Sequence, residues 1–215
     1  MNEDYISNQI AVYKNSKTLI EFQDKLKIAS IGCYAHIHAD GEPGADGRRR
    51  HSLIGILMKD YSNGTGEQAV TVTANISPEE KFILSRLTAG FREFNYQQDK
   101  IFGEKDSEGY SKASKIRIIR AVKDARGNAR KLPWYIEIEN GKGIPQKNST
   151  GGTYMKANSF VSEGRAYTNL SDLDLFRLLS RVSSYIESWE KAAAPPLIKL
   201  AKNTMESRRA GKTAA

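Results

Sequence analysis

"KASKIRIIRAVKDARGNARKLPWYIEIEN", residues 112–140, alternates apolar and charged side chains on either side of a turn-forming centre. Ile116, Ile118 and Val122 fall with Arg120 on even positions, and Lys115, Arg117 and Lys123 fall on odd ones. A strand points successive side chains to opposite faces, so it separates these two sets. In the second arm Leu132, Trp134, Ile136 and Ile138 alternate with Tyr135, Glu137 and Glu139. Gly127-Asn128 supplies turn chemistry, and the stretch therefore predicts a β-hairpin of 115–123 and 132–139. Pairing that matches the apolar faces sets Arg117 opposite Glu139 and Ile119 opposite Glu137, which answers part of the charge across the strands.

The hairpin also concentrates the charge of the chain. Residues 112–131 hold eight basic residues and one acid, Asp124, within a 215-residue protein of net charge +8; residues 1–111 hold 13 Lys and Arg against 16 Asp and Glu. Clustered charge raises the local potential and attracts polyanions. Strand pairing leaves Lys123, Arg126, Arg130 and Lys131 gathered at the turn with only Asp124 beside them. A two-stranded ribbon fits a duplex major groove, and Tyr135, outward beside the cations, is placed to stack on a base. Two readings stay open: a solvated charged hairpin, or a surface that grips nucleic acid or an acidic partner. Arg48, Arg49 and Arg50, the loop with Lys142 and Lys147, and the tail residues Arg208, Arg209 and Lys212 would extend such a footprint.

Outward from the hairpin, the pattern predicts an α+β fold. The first thirty residues read as two short helices, with Ile6, Ile10 and Tyr13 at helical spacing and Ser16 as an N-cap before Leu19, Phe22 and Leu26. "IGCYAHIHA" and "SLIGILMKDY" read as strands around the turn-rich loop "DGEPGADGRRR", and "EQAVTVTANI" as a third strand of the same meander. "SPEEKFILSRL" predicts a helix over 78–89, with Ser77 as N-cap, Pro78 at the first helical position and Glu80 completing a capping box. The segment with "GEKDSEGYS" reads as a polar connection, and 141–152 as a Gly-rich one. "TYMKANSF" and "RAYTNL" read as a further strand pair. A helix over 171–192 presents Leu173, Phe176, Leu179, Val182, Ile186 and Trp189, capped by Ser171 and Asp174, until Pro195-Pro196 break it. The domains expected are 1–110, an N-terminal meander region; 111–192, the hairpin and helix packed with the first; and 193–215, a short helix and basic tail. Antiparallel sheets packed by helices at about 78–89 and 171–192 are the expected architecture.

Enzyme chemistry has thin support. His36, His38 and His51 fall within sixteen residues and Cys33 precedes them, which raises a metal site as an alternative. On a regular strand, however, Cys33 faces away from His36 and His38. No HExxH, GxSxG or GxxxxGK[ST] pattern is present, so no cofactor is predicted. Cys33 is the only cysteine, which excludes an internal disulfide. No run approaches the roughly 18 apolar residues of a membrane span, and the N-terminus lacks a signal pattern, which predicts a cytoplasmic protein with no membrane partner.

"KLPWYIEIENGKG", "GGTYMKANSF" and "NLSDLDLFRLLSRVSSYIESWE" are similar to segments of uncharacterised accessory proteins of plasmids, integrative elements and phages of Firmicutes. That group includes anti-CRISPR inhibitors. The resemblance spans about the C-terminal half and carries no catalytic residue over. It implies a non-catalytic accessory protein of a mobile element that binds nucleic acid, or a nucleic-acid-processing protein such as a Cas nuclease, with Lys123, Arg126, Arg130 and Lys131 as its contact. The alternative is a small metal-dependent nuclease or hydrolase using His36, His38 and an acid such as Asp40.

Overall fold

The computed structural model describes residues 7–30, 37–78 and 93–213. Twelve strands, one α-helix and a short 3-10 turn (Gly66–Gln68) are seen there: β1 (Gln9–Lys14), β2 (Thr18–Lys25), β3 (Asp40–Pro43), β4 (Arg49–His51), β5 (Leu53–Asp60), β6 (Val70–Ile76), β7 (Glu93–Phe102), β8 (Ser111–Ala121), β9 (Trp134–Gly143), β10 (Pro145–Lys147), β11 (Thr153–Met155), β12 (Val161–Leu170) and α1 (Asp172–Thr213). They form two four-stranded sheets, ordered β1-β2-β5-β6 and β12-β9-β8-β7, with every neighbouring pair antiparallel, and two ribbons, β3-β4 and β10-β11. The fold is mixed α+β, dominated by antiparallel sheet. No helix among the described residues is long and apolar enough to cross a membrane.

The N-terminal segment corrects the sequence reading, because the two predicted helices are the hairpin β1-β2. Asn15 Oδ1 accepts the amides of Lys17 at 2.9 Å and Thr18 at 2.7 Å. An Asx side chain accepting amides two and three residues ahead closes a hairpin turn as readily as it caps a helix, so the local signal is shared. Tertiary burial decides between them. Thr18, Ile20 and Phe22 are buried at period two, while Leu19 and Glu21 lie on the other face.

The central meander is corrected in the same way. β5 pairs with β2 on one side and β6 on the other, so "IGCYAHIHA" does not supply its neighbour. Residues 31–36 lie outside the described part, and the loop beyond contains the ribbon β3-β4. β6 follows its predicted parity, with Val72, Ala74 and Ile76 buried. The helix predicted over 78–89 falls almost wholly outside the described residues.

In the second sheet, "GEKDSEGYS" is the connection from β7 into β8, and β7 before it is a strand that the sequence reading does not name. "TYMKANSF" and "RAYTNL" do not pair with each other: β11 pairs with β10, and β12 pairs with β9. The Gly-rich connection is thus partly ordered ribbon. Gly143 has the reason for its residue type in view, since a Cβ there would lie 2.6 Å from Met155 Sδ.

α1 begins where predicted. Ser171 Oγ accepts the Asp174 amide at 3.1 Å and donates to Asp174 Oδ2 at 2.6 Å, a cap worth about 1 kcal/mol. The buried face is Leu175, Leu178, Leu179, Val182 and Ile186, in one cluster with Ile20, Phe22, Ile56, Ile118 and Trp134 of the two sheets. Leu173 and Phe176 are instead exposed. Pro195 and Pro196 lie inside α1 without ending it. A proline φ is itself helical, and the cost is the two missing N–H donors together with the clash of each ring against the carbonyl four residues back; burial of Ala193 and Ala201 on either side works against that cost.

Candidate nucleic-acid interface

The tip of the β8-β9 hairpin is built by one carboxylate. Asp124 Oδ1 accepts the amides of Arg126 and Asn128, both at 2.9 Å, and Oδ2 accepts the Asn128 side chain at 3.3 Å. The Asn128 amide in particular holds the Asp124 carboxyl below the usual carboxylate range. Gly127 takes φ 83°, which an L side chain rarely adopts. The one acid of the tip is thereby committed to the turn. Lys123, Arg126, Arg130 and Lys131 are all exposed, and among the described residues none has a carboxylate within ion-pair distance.

The register differs from that predicted. Lys115 lies opposite Glu139, Arg117 opposite Glu137 and Ile119 opposite Tyr135. Toward the tip, Ala121 N donates to Pro133 O, whereas the next pair is Lys123 with Ala129. One residue, Val122, therefore faces the three residues 130–132 of the returning arm. This bulge leaves Leu132 exposed, where strict alternation expected it buried.

The outward face of the second sheet continues from the tip. Strand pairing aligns Tyr135 beside Asn169 and Glu137 beside Tyr167, with Arg165 beside Glu139 in the next row. The Tyr135 and Tyr167 rings lie 5.5 Å apart, and Tyr167 is 46% exposed. Glu137 shares this outward parity yet is only 2% exposed. It accepts Tyr135 OH at 2.5 Å and Arg165 Nε at 2.6 Å, with Arg165 Nη2 also against it, and Arg117 Nη1 stands 3.6 Å from its other oxygen. Burial, reinforced by the hydrogen bond to Glu137, pushes the Tyr135 phenol up to about 12. The Glu137 contact likewise raises the Arg165 guanidinium. Further along, Lys115 Nζ sits 4.3 Å from the centre of the Phe160 ring. At this far end Gly143 of β9 lies against Met155 of β11.

The remaining predicted residues are scattered. Arg48 and Arg49 are exposed at the β3-β4 ribbon, and Arg50 donates to the Ile28 carbonyl at 3.3 Å. Lys142 pairs with Glu108 at 2.9 Å and lies 4.8 Å from the centre of the Tyr110 ring. Lys147 is exposed on β10. Arg208 and Arg209 lie on exposed turns of α1.

The histidine cluster is not assembled among the described residues. His36 and Cys33 lie outside them. His38 uses both ring nitrogens, with Nδ1 2.8 Å from Ser52 Oγ and Nε2 3.2 Å from Glu190 Oε1, and its ring stacks on Trp189 at 4.9 Å. His51 stands 3.7 Å from Asp40 across β3-β4. No group of three metal-ligating side chains is found among the described residues.

Local sequence pattern does not single out Arg165 and Tyr167. Their alternation with Ala166 and Thr168 in "RAYTNL" carries the strand signal, but the partner strand lies 28 residues away in the chain and local pattern does not name it.

No family model matches the chain, and no curated protein matches it. Among solved structures it is similar to a plant transcriptional regulator, PBF-2, at 8% identity and TM-score 0.47, over 91% of this chain and 98% of that one. It is also similar to WHY1 from Arabidopsis thaliana, at 10% identity and TM-score 0.40 over 85% and 90%, and to WHY3 from the same plant, at 12% identity and TM-score 0.41 over 90% and 99%.

Proposed function

We propose that this protein is a non-catalytic nucleic-acid-binding protein that holds a single strand along the β8-β9 tip and the outward face of the second sheet. The observation that carries the reading is the pairing of two features on one hairpin and its sheet: four exposed tip cations without a carboxylate partner among the described residues, and the Tyr135-Tyr167 pair flanked by Arg117 and Arg165. Cations track a phosphate backbone and release its counterions, while exposed aromatic rings stack on unpaired bases, at about 1–3 kcal/mol per base. Paired bases expose no ring face to such a platform, and this favours the single strand over the duplex.

The test is fluorescence anisotropy with a labelled oligothymidylate of about 20 nucleotides, enough to span one such surface, and with a duplex of the same length. The reading expects tighter binding of the single strand and an affinity that falls steeply with salt. No binding of either probe at low salt would overturn it. The mobile-element setting, with a Cas nuclease as partner, is the narrower form of the proposal and rests on the segment resemblance. A pull-down from bacterial lysate with and without nuclease treatment tests it: a Cas protein retained after treatment supports that form.

A further inference from the structure

A carboxylate on the solvent-side parity of a sheet is normally exposed, and Glu137 is not. The side chains of Arg117, Arg165 and Tyr135 converge on it. A buried acid costs desolvation that such contacts only offset, and polar or apolar residues would serve the sheet equally well. The arrangement is also lopsided. The acid is 2% exposed, whereas the side chains of Arg117 and Arg165 remain 43% and 56% exposed. Arg165 spends Nε and Nη2 on Glu137 and on the Tyr135 hydroxyl at 3.2 Å, and Arg117 Nη1 makes only an ion contact at 3.6 Å, so of the five donors each guanidinium carries, Nη1 of Arg165 and most of those of Arg117 face outward for a ligand.

We infer that Glu137 is the positioning residue of this surface, holding two guanidiniums and the Tyr135 ring at fixed spacing so that their outer edges meet a phosphate and the base beside it. The inference rests on the nucleic-acid reading above. A planar guanidinium fork fixed before binding loses less side-chain entropy on meeting two oxygens of a phosphate, and it discriminates by geometry where a free lysine acts as a point charge. With two cations and one anion the cluster keeps a net positive charge, so the acid orients without cancelling.

Glu137→Gln separates positioning from plain electrostatics because the two predict opposite signs. Removing a negative charge beside a phosphate site strengthens binding if only the field matters. Positioning instead predicts binding of the oligothymidylate weaker by about tenfold, the loss expected when one aligned charge-assisted contact is given up. Arg165→Lys, an exposed change that keeps the charge and loses the fork, is expected to weaken binding to a similar degree. The double variant is then expected to be little worse than either single one, since both remove the same aligned contact. Wild-type binding with Glu137→Gln equal or tighter overturns the inference alone, as does full additivity of the two changes. Failure of the wild type to bind overturns the inference and the functional reading together.

Discussion

The side chain of Asn140 on β9 mimics a strand against Thr73 on β6: its Oδ1 accepts the Thr73 amide at 2.7 Å and its Nδ2 donates to the Thr73 carbonyl at 2.6 Å. β6 is the edge of the first sheet, and this amide occupies backbone groups that would otherwise invite another strand. Lys100 Nζ adds a bond to the Asn75 carbonyl at 2.7 Å. The junction of the two sheets is thus partly a hydrogen-bonded seam, continued by the buried contact of the Thr18 and Thr168 hydroxyls at 2.8 Å.

Asn140→Ala is expected to lower stability by about 1–2 kcal/mol, two partly solvated hydrogen bonds at the usual net value. It also frees the β6 edge. A lower denaturant midpoint accompanied by concentration-dependent light scattering is the expected result, and a scattering profile like that of the wild type would leave the edge-protection argument unsupported.

Acid sensitivity is expected to involve the start of α1. Asp172 accepts from Arg120 and, at 2.7 Å, from Trp134 Nε1, and chiefly the Arg120 contact holds its carboxyl below the usual carboxylate range. A carboxyl with a depressed folded value contributes stability that is present above its unfolded value, near 4, and is lost as pH falls through the folded value. Asp172→Asn is therefore expected to flatten the acid limb of stability below about pH 4, measured by denaturation followed through tryptophan fluorescence. A limb unchanged by the substitution would assign the acid loss elsewhere.

The alkaline limb has a counterpart in Tyr135. Its phenol is raised to about 12, first by burial and then by Glu137. A group with a raised folded value contributes stability below its unfolded value, about 10, that is lost as pH climbs toward the folded one. Tyr135→Phe is expected to remove that loss, and ultraviolet titration of the wild type should show a late-forming phenolate that is missing from Tyr135→Phe.

How much of this was legible in the sequence depends on how local each signal is. The two faces of β8 and β9 follow from period-two alternation, and Trp134, Ile136 and Ile138 are buried as that alternation requires. Their register does not follow, because the bulge at 130–132 is set by how Asp124 closes the turn. β7, "EFNYQQDKIF", hides among polar residues: its outward positions Asn95, Gln97 and Asp99 face water, and only pairing with β8 makes it a strand. Charge along the chain is enough to locate the tip cations. It does not locate the Glu137 cluster, since Arg117 and Arg165 reach that carboxylate from two different neighbouring strands.

Gly143→Ala tests the ribbon over the far end of the platform. The added methyl would meet Met155 Sδ and Cγ within 2.8 Å, and a flexible thioether yields only by moving out of the contact. A destabilisation of about 1–3 kcal/mol is expected for such overpacking. If the ribbon bounds the binding face, affinity for the oligothymidylate changes as well; if only the melting temperature moves, the ribbon is structural alone.

The tip and the face are expected to separate in their salt dependence. Each phosphate neutralised on a single strand contributes about 0.7 to the slope of log affinity against log salt, whereas base stacking contributes affinity with little slope. Alanine at Arg126, Arg130 and Lys131 together should therefore reduce the slope by about 2 if each meets a phosphate, and should weaken binding most at low salt. Tyr167→Ala, a change at an exposed ring, should cost about 1–3 kcal/mol at every salt concentration and leave the slope nearly as it was. Equal effects of both changes on the slope would mean that Tyr167 acts by orienting Arg165 and Tyr135, not by stacking, and would move the base contact off the sheet face.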